Sequence, residues 1–510
     1  MIKLLPIKLL GGGVIGEKKK SKELFYYLSP EELIPENHIL RLINRYVDFS
    51  FIRPKVEHLY SHTGRPSVDP DVMMRMLLLG YLFGITSERR LCEEVGMHMG
   101  YRWFVGLSLE EKIPDHSTFS KNRHGRFKQS GIYQQIFDQI VHQCIEKCLV
   151  KGDHLTVDST LVKANASFKN LEPIVVSLKP EQYIEKVDKE NPVSEKPESE
   201  HPEVWEPKDD FAHSGVKISN KTHRSRIDPD SRIARKSNFS ETYLGHGVTY
   251  VMDNKSRVIV GADRNLPNRN ADAKIAVELV GRLKWNYHLT PRTLGADKVY
   301  ATGVFVHWLL EQNVQPHVPI MDSRSRNDKG IYSIEQFQYQ DDKDEFICPQ
   351  GKTLRYWGIQ QHSKQHAYRA SPSDCRQCPV KAQCTRASYR SLSYHIYESS
   401  IEIARRLTQT RGYRISQRMR KRIEELFGEA KECMGMRRMK FRGALFAREQ
   451  VLLTATAQNI KRMVRLLSQM GPKTEAKGQV LRLETPWPSL CHAVFRWILS
   501  PHQQFGPALS

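Results

Sequence analysis

Long apolar runs are missing from this chain of 510 residues. A membrane-spanning helix takes about 18 or more consecutive apolar residues. The best stretch here, Met73–Ile85, is shorter, is interrupted by Arg75, and reads as a buried helix. The resemblance of the N-terminal stretch to a secretory leader is also weak. The opening MIKLLPIKLLGGGVIG is broken by Pro6, Lys8 and a run of three glycines, and its lysines follow the apolar part instead of preceding it. Nor is there a disulfide framework. Of nine cysteines, four (Cys348, Cys375, Cys378 and Cys384) fall within 37 residues and the rest are scattered, which on a large chain suits a reducing compartment. Acidic residues are scarce relative to basic ones: 57 Asp and Glu against 78 Lys and Arg, a formal charge of +21. That surplus points to a polyanionic partner, nucleic acid first, with a merely basic surface as the plain alternative. The charge is clustered, with 14 Lys or Arg against 4 Glu from Arg405 to Arg448, which favours a binding surface. The expectation is a cytoplasmic, nucleoid-associated protein without a membrane partner.

The length allows two to four domains. Residues 1–25 read as a loose leader, and 26–150 as a helical N-terminal domain. Thr86 or Ser87 can cap SERRLCEEV, and Asp115 or Ser117 can cap the basic stretch STFSKNRHGRF. Short helices ending in a basic one suit a DNA-binding module in which Arg123 and Arg126 contact DNA. An ordinary helical bundle is the alternative. At His154 the period changes to two, in HLTVDSTLV, which predicts a strand. Residues 151–319 then give strand, hairpin, helix, strand, helix, strand, a mixed α/β sheet with helices on its faces. Within them 176–215 is polar and rich in Pro, Glu and Lys, a composition that cannot bury a core. Residues 320–400 read as a loop-rich, cysteine-bearing insert, 401–467 as further core helices, and 468–510 as a tail.

One of those helices, predicted over Arg411–Lys440, carries a lone acidic patch among cations. Ile415, Met419, Ile423, Phe427, Ala430 and Met434 stripe one face. Arg420, Glu424 and Lys431 share another, at about 3.6 residues per turn. The plain reading is a solvated amphipathic helix with ion pairs. Two further carboxylates make a different reading available. Asp158 lies on the first strand between apolar neighbours, where a charge is costly unless paired or bound to a cation. Asp297 ends the strand TLGAD, at the end of a strand where α/β sheets bind ligands. Asp253, Asp263 and Asp272 are rivals for the second position, but a turn, a strand end and a helix N-cap account for them. Glu425 is rotated about 100° from Glu424. Three carboxylates would make a hard-oxygen site for Mg²⁺ or Mn²⁺, with two ions about 3.5–4 Å apart suited to attack on a phosphodiester.

VDSTLVKANAS, LGADKVYATG and the R-x3-E-x6-K spacing in RMRKRIEELFGEAK, followed by FRG and QNIKRM, resemble the DDE-type transposases of bacterial insertion sequences. The likeness runs from about Leu28 to Leu467 and is closest to the group with a helical N-terminal domain and a cysteine-bearing insert. It implies a ribonuclease-H-like mixed five-stranded sheet whose first and fourth strands are adjacent, bringing Asp158 and Asp297 together. It implies Asp158, Asp297 and Glu424 as catalytic metal ligands, with Arg420 and Lys431 on DNA. The implied activity cuts element ends and joins 3′-OH ends to target DNA. The partners are then the terminal inverted repeats and the target, and handling two ends suits a homodimer. The family signature Tyr-x2-Arg-x3-Glu-x6-Lys has Gln417 at its tyrosine position here. Asp228-Pro-Asp-Ser-Arg also recurs in the group, read either as DNA contact by Arg232, Arg235 and Lys236 or as a capped turn. A metal-dependent nuclease without strand transfer, or a DNA-binding protein with a degenerate core, are the alternative functions.

The cysteines read C-x26-C-x2-C-x5-C. A CxxC pair plus two thiols, in a segment with little core of its own, suits a structural Zn²⁺ that supplies folding energy. Four reduced, partly buried thiols are the alternative.

Overall fold

The chain is described by a computed structural model that covers residues 29–61, 63–64, 67–174, 218–236, 239–320, 331–361 and 363–470. The leader, the polar segment 176–215 and the tail beyond 470 lie outside the described residues.

From residue 29 to 150 the described chain is helical. Its main helices are α1 (Ile39–Tyr46), α2 (Pro70–Leu82), α3 (Glu88–Met97), α4 (His116–His124) and α5 (Ile132–Glu146). Four of them start where a side chain can take up a free backbone N–H: His38 accepts from Leu40, Asp69 from Asp71, Ser87 from Arg90, and Asp115 from Ser117. Apart from Asp71 and Arg75, which pair with each other at 2.8 Å, α2 is apolar and is buried along most of its length.

β1 (His154–Lys163) is the strand on which the sheet is assembled. The hairpin strand β3 (Tyr243–Asp253) pairs with it antiparallel, with Asp158 opposite Tyr250. On its other side β5 (Thr293–Gly295) pairs parallel, and β6 (Gln315–His317) pairs parallel to β5. β4 (Ile259–Asn265) and the short β2 (Arg232–Ala234) share the far edge of β3. Among the described residues the sheet therefore has six strands instead of the expected five. The extra one, β2, is three residues of a segment whose Asp and Pro content reads as a turn. α6 (Arg269–Tyr287) connects β4 to β5, and α7 (Gly303–Glu311) connects β5 to β6. The fold of this part is mixed α/β.

α11 (Ala444–Met470) joins the two parts. It packs against α1, α2 and α5 on one side and β4 on another, so the helices before residue 150 and the sheet share one hydrophobic core. The switch from helix to strand near residue 150 is thus no break in packing. Polar residues on α11 clamp its neighbours: Asn459 pairs with both the N–H and the C=O of Ile259, each at 2.8 Å, and Gln458 donates to the Leu426 carbonyl at 2.8 Å. The QNIKRM stretch is in this respect a structural clasp.

The cysteine-bearing insert is not loop-rich. It holds an antiparallel sheet of β7 (Gln338–Gln340), β8 (Glu345–Ile347), β9 (Thr353–Gln360), β10 (Gln365–Ala370) and β11 (Ser391–His395). A small core of Phe337, Phe346, Leu354, Tyr368, Ala370, Cys384 and Leu392 sits under it. Its strands are short and mostly exposed, so they lack the apolar alternation that marks a strand in sequence. After it come α8 (Glu398–Leu407), α9 (Arg411–Arg420) and α10 (Arg422–Cys433). Among the described residues no helix is long and apolar enough to cross a membrane.

Candidate active site

Asp158 points from the middle of β1 toward the junction of α9 and α10. Its Oδ2 accepts from Arg420 Nη1 at 3.1 Å, and its Oδ1 accepts from the Ser159 N–H at 2.8 Å. Burial pushes its carboxyl up to about 6; the Ser159 N–H and Arg420 oppose this, and the charges of Asp297 and Glu424 add to it. The three expected carboxylates are therefore electrostatic neighbours. Glu424 lies 3.9 Å from Arg420 and is largely exposed, with 62% of its side chain open to solvent. Asp297 follows β5 and caps a short 3-10 turn, Lys298–Tyr300, accepting from the Val299 N–H at 2.8 Å. This capping bond coexists with a place at the site. Lys431 donates to Thr160 Oγ1 at 2.6 Å, two residues along β1 from Asp158. Burial, Lys236 and Arg437 all lower its pKa. Among the described residues, no three His, Cys, Asp or Glu side chains are gathered tightly enough to enclose a metal ion as they stand.

The helix predicted over Arg411–Lys440 is broken at Lys421 and ends at Cys433. The apolar stripe holds in α10, where Ile423, Phe427 and Ala430 are buried, but fails in α9, where Ile415 is 44% exposed. The inner face of α9 is instead Ser416 and Gln417. α9 lies across the polar ends of β5 and β6, so hydrogen-bonding side chains belong there. Gln417 donates to the carbonyls of His317 and Ala296 at 2.6 and 3.2 Å, and His154 Nε2 lies 2.8 Å from Ser416 Oγ. The approach is close: a Cβ on Gly295 would meet Ser416 Oγ at 2.8 Å, so the glycine of LGAD admits the helix.

The rival carboxylates have other partners. Asp253 accepts from backbone and hydroxyl groups of its own turn, including the Ser256 N–H at 2.8 Å. Asp263 pairs with Arg448 at 3.0 Å and with Arg282 at 3.4 Å. Asp272 is not the N-cap of α6; Asn268 is, accepting from the Ala271 N–H at 2.7 Å. Asp272 accepts from Asn265 Nδ2 at 2.6 Å instead and faces Ser159 and Asp297. Glu425 pairs with Arg257 at 2.6 Å, away from Asp158.

Arg123 is not free for DNA. It is 3% exposed and pairs with Glu88 at 2.6 Å and Glu449 at 2.8 Å, over the Phe441 ring. The α4 periodicity puts it on the inner face with Phe119 and Asn122, and its partner on α11 was invisible locally. Arg126 is exposed, stacked over Tyr60. In the Asp228 segment the capping reading holds for the aspartates. Buried Asp228 bonds His246 Nε2 and the Gly443 N–H, each at 3.1 Å, and Asp230 accepts from the Ala444 N–H at 2.8 Å, at the start of α11. Arg235 and Lys236 remain exposed.

In the insert, burial raises the Cys384 thiol pKa; Arg390 opposes this and Cys375, Cys348 and Cys378 add to it, so the four thiols are neighbours. Backbone amides of Lys352 and Arg390 point at Cys348 Sγ and Cys375 Sγ, at 3.3 and 3.4 Å. A cleft of about 820 Å³ opens between the insert and the start of α7, lined by Lys298, Thr302, Tyr332, Arg390, Tyr394 and Arg405 and by none of the three carboxylates.

Two family models match the chain. One, described as a transposase domain (DUF772), matches residues 28–125, and the other, a transposase DDE domain, matches 347–464, which includes Glu424 but neither aspartate. No curated protein matches significantly. A solved structure of piggyBac transposase in a synaptic complex with hairpin DNA is similar at 10% identity, over 92% of this chain and 86% of that one, with a TM-score of 0.31. That likeness is too weak to add to the geometry.

Proposed function

The chain belongs to the DDE-type transposases of insertion sequences, and from that premise we propose that it cuts element ends and joins their 3′-OH groups to target DNA at Asp158, Asp297 and Glu424. The observation that carries this reading is the convergence on Asp158 of Arg420, Asp297 and Glu424 from three separate elements. The strand order, with β1 central, antiparallel β3 and β4 to one side and parallel β5 and β6 to the other, supports a ribonuclease-H-like core.

The donor set fits a divalent cation. The carboxylates are hard oxygen ligands, and they repel one another across the site. Mg²⁺ or Mn²⁺ bound there supplies Lewis-acid activation of a water or 3′-hydroxyl and stabilises the leaving oxygen. The chain's own groups do the rest. Arg420 neutralises part of the charge on Asp158, and its buried Nε, which has no partner among the described residues, retains capacity for a phosphate oxygen. Lys431, fixed on Thr160, places a second cation beside β1 for the DNA backbone. Exposed Arg126, Arg235 and Lys236 extend the contact with terminal repeats and target. A homodimer would serve the two ends.

A structural Zn²⁺ at Cys348, Cys375, Cys378 and Cys384 is a separate proposal. Backbone amides lie at hydrogen-bond distance from Cys348 Sγ and Cys375 Sγ, as they do around metal-ligating sulfurs, and the insert's own core is small. Metal analysis tests it: about one equivalent of zinc, lost in Cys375→Ser together with thermal stability, is expected.

The function is tested with labelled element-end DNA, Mg²⁺ and target plasmid. Joined products are expected. Nicks without joining would replace the reading with a nuclease, and cleavage that survives Asp158→Ala would remove the catalytic assignment.

A further inference from the structure

We infer that Ser159, Tyr300 and Asp272 act as a clasp of positioning residues that fixes the Asp158-bearing strand against the Asp297-bearing turn. This rests on the catalytic assignment above. Ser159 follows Asp158 on β1, so its side chain points to the opposite face of the sheet. One residue thereby touches both faces. Its N–H donates to Asp158 Oδ1 at 2.8 Å, and its hydroxyl lies 2.7 Å from the Tyr300 hydroxyl and 2.6 Å from Thr249 Oγ1 on β3. Tyr300 closes the turn that Asp297 opens: its N–H donates to the Asp297 carbonyl at 3.2 Å, and it is 1% exposed. The Ser159–Tyr300 bond therefore spans the two elements that carry the aspartates.

Asp272 sets the direction of these hydroxyls. It stands in the first turn of α6, accepts from Asn265 Nδ2 at 2.6 Å, and its carboxylate faces the Ser159 hydroxyl and Asp297. A hydroxyl has one proton to give and two lone pairs to receive. If Ser159 donates to the Asp272 carboxylate, the Tyr300 and Thr249 hydroxyls both donate to Ser159 Oγ, and all of Ser159's capacity is used. Packing alone does not call for this arrangement. Apolar side chains would fill the same space without buried hydroxyls, and Asp272 adds a negative charge that faces Asp297. A clasp that orients a carboxylate pair accounts for both features.

The test uses the full-length protein with element-end DNA, and Tyr300→Phe, Ser159→Ala, Ser159→Thr and Asp272→Asn. Cleavage at saturating DNA and Mn²⁺ binding to the DNA-free protein by electron paramagnetic resonance are measured. Removing a partner that orients a metal ligand costs roughly 10–100-fold in affinity or activity. Tyr300→Phe and Ser159→Ala should each lose in that range in rate and in Mn²⁺ affinity, with DNA affinity unchanged. The double variant should be no worse than either single one, because both break the same bond. Ser159→Thr, which keeps the hydroxyl, should recover most of the rate. Asp272→Asn keeps shape and removes charge, so it tests the clasp even if a tyrosine variant unfolds; it should melt no lower than wild type yet cleave more slowly. Wild-type cleavage and Mn²⁺ affinity in Tyr300→Phe, or in Asp272→Asn, would overturn the clasp while leaving the catalytic assignment standing. Cleavage that persists in Asp158→Ala would fail the assignment itself.

Discussion

Gln417 donates its side-chain amide to the carbonyl oxygen of His317 at 2.6 Å. A second bond from the same amide reaches Ala296 at 3.2 Å. Both carbonyls belong to strand ends, and the second adjoins Asp297. The residue that stands where the family signature has tyrosine is thus a clamp between α9 and the ends of β5 and β6. Gln417→Ala leaves two partly buried carbonyls without that donor. A cost of about 1–3 kcal/mol in stability is expected. Cleavage should fall further than DNA affinity does, since Arg420 sits one turn along the same helix. Urea denaturation and a nicking assay measure the two effects. Equal losses in binding and cleavage would count against the clamp.

Glu424 and Glu425 are adjacent in sequence but face different partners. Glu424 lies beside Arg420, and Glu425 holds Arg257 on the hairpin turn at 2.6 Å. A ligand for a catalytic cation contributes several kcal/mol to the transition state, or about 100–1,000-fold in rate at ~1.4 kcal/mol per tenfold. Glu424→Gln is expected to lose cleavage by that factor with DNA affinity kept. Glu425→Gln should stay within about threefold of wild type, because an exposed pair contributes only ~0–1 kcal/mol. Parallel nicking rates decide; a reversed order would move the catalytic role to Glu425.

This pair shows what the sequence can reveal. The period of α10 separates the two glutamates by rotation, with no partner needed. The alternation in HLTVDSTLV likewise puts Asp158 on a strand. Pairings across the chain left no local trace. Asp158 meets Arg420 across 262 positions, and Arg123 meets Glu449 across 326. Periodicity tells which face is buried but not what lies opposite. That is why Arg123 reads as a surface cation, why Asp272 reads only as a rival carboxylate at a helix start, and why Ser159 and Tyr300 carry no signal of their own. The break at Lys421 leaves no mark in the sequence for a related reason: α9 turns Ser416 toward His154 and Gln417 toward two carbonyls, and a hydrophobic pattern cannot register a polar inner face.

Arg123 and Arg126 are three residues apart on a basic stretch and should behave oppositely. Arg123→Ala leaves Glu449, which is 2% exposed, without its cation. Loss of one partner of a buried pair costs about 3–5 kcal/mol. Stability should fall by that amount. Arg126→Ala should cost no more than about 0.5 kcal/mol in stability. It should weaken DNA binding and reduce the salt slope by about one unit. Thermal melts and binding isotherms across salt concentrations separate these outcomes. A stable Arg123→Ala protein with weakened DNA binding would restore Arg123 to the surface.

The same buried cluster gives a pH signature through Lys440. Its ammonium lies over the Tyr81 ring at 4.1 Å, and Arg123, Glu88 and Glu449 face it from α4, α3 and α11. Burial lowers its pKa to about 8; Arg123 adds to the lowering, and Glu88 and Glu449 oppose it. The unfolded chain keeps this proton up to the ordinary lysine value of 10.5, whereas the folded chain releases it near 8. Between those values the unfolded state binds more protons, so raising the pH favours the fold. Below about pH 8 the full cost of burying the charge is present, on the order of 3 kcal/mol. Lys440→Met removes that cost and keeps most of the volume. It should be more stable than wild type at pH 7, with the advantage shrinking steadily toward pH 10. Other tyrosines and lysines titrate in both proteins and cancel in the difference. Chemical denaturation at pH 7, 8, 9 and 10 reads it directly, and a difference that does not change with pH would show that Lys440 releases its proton at the ordinary lysine value in the fold and bears no such burial cost.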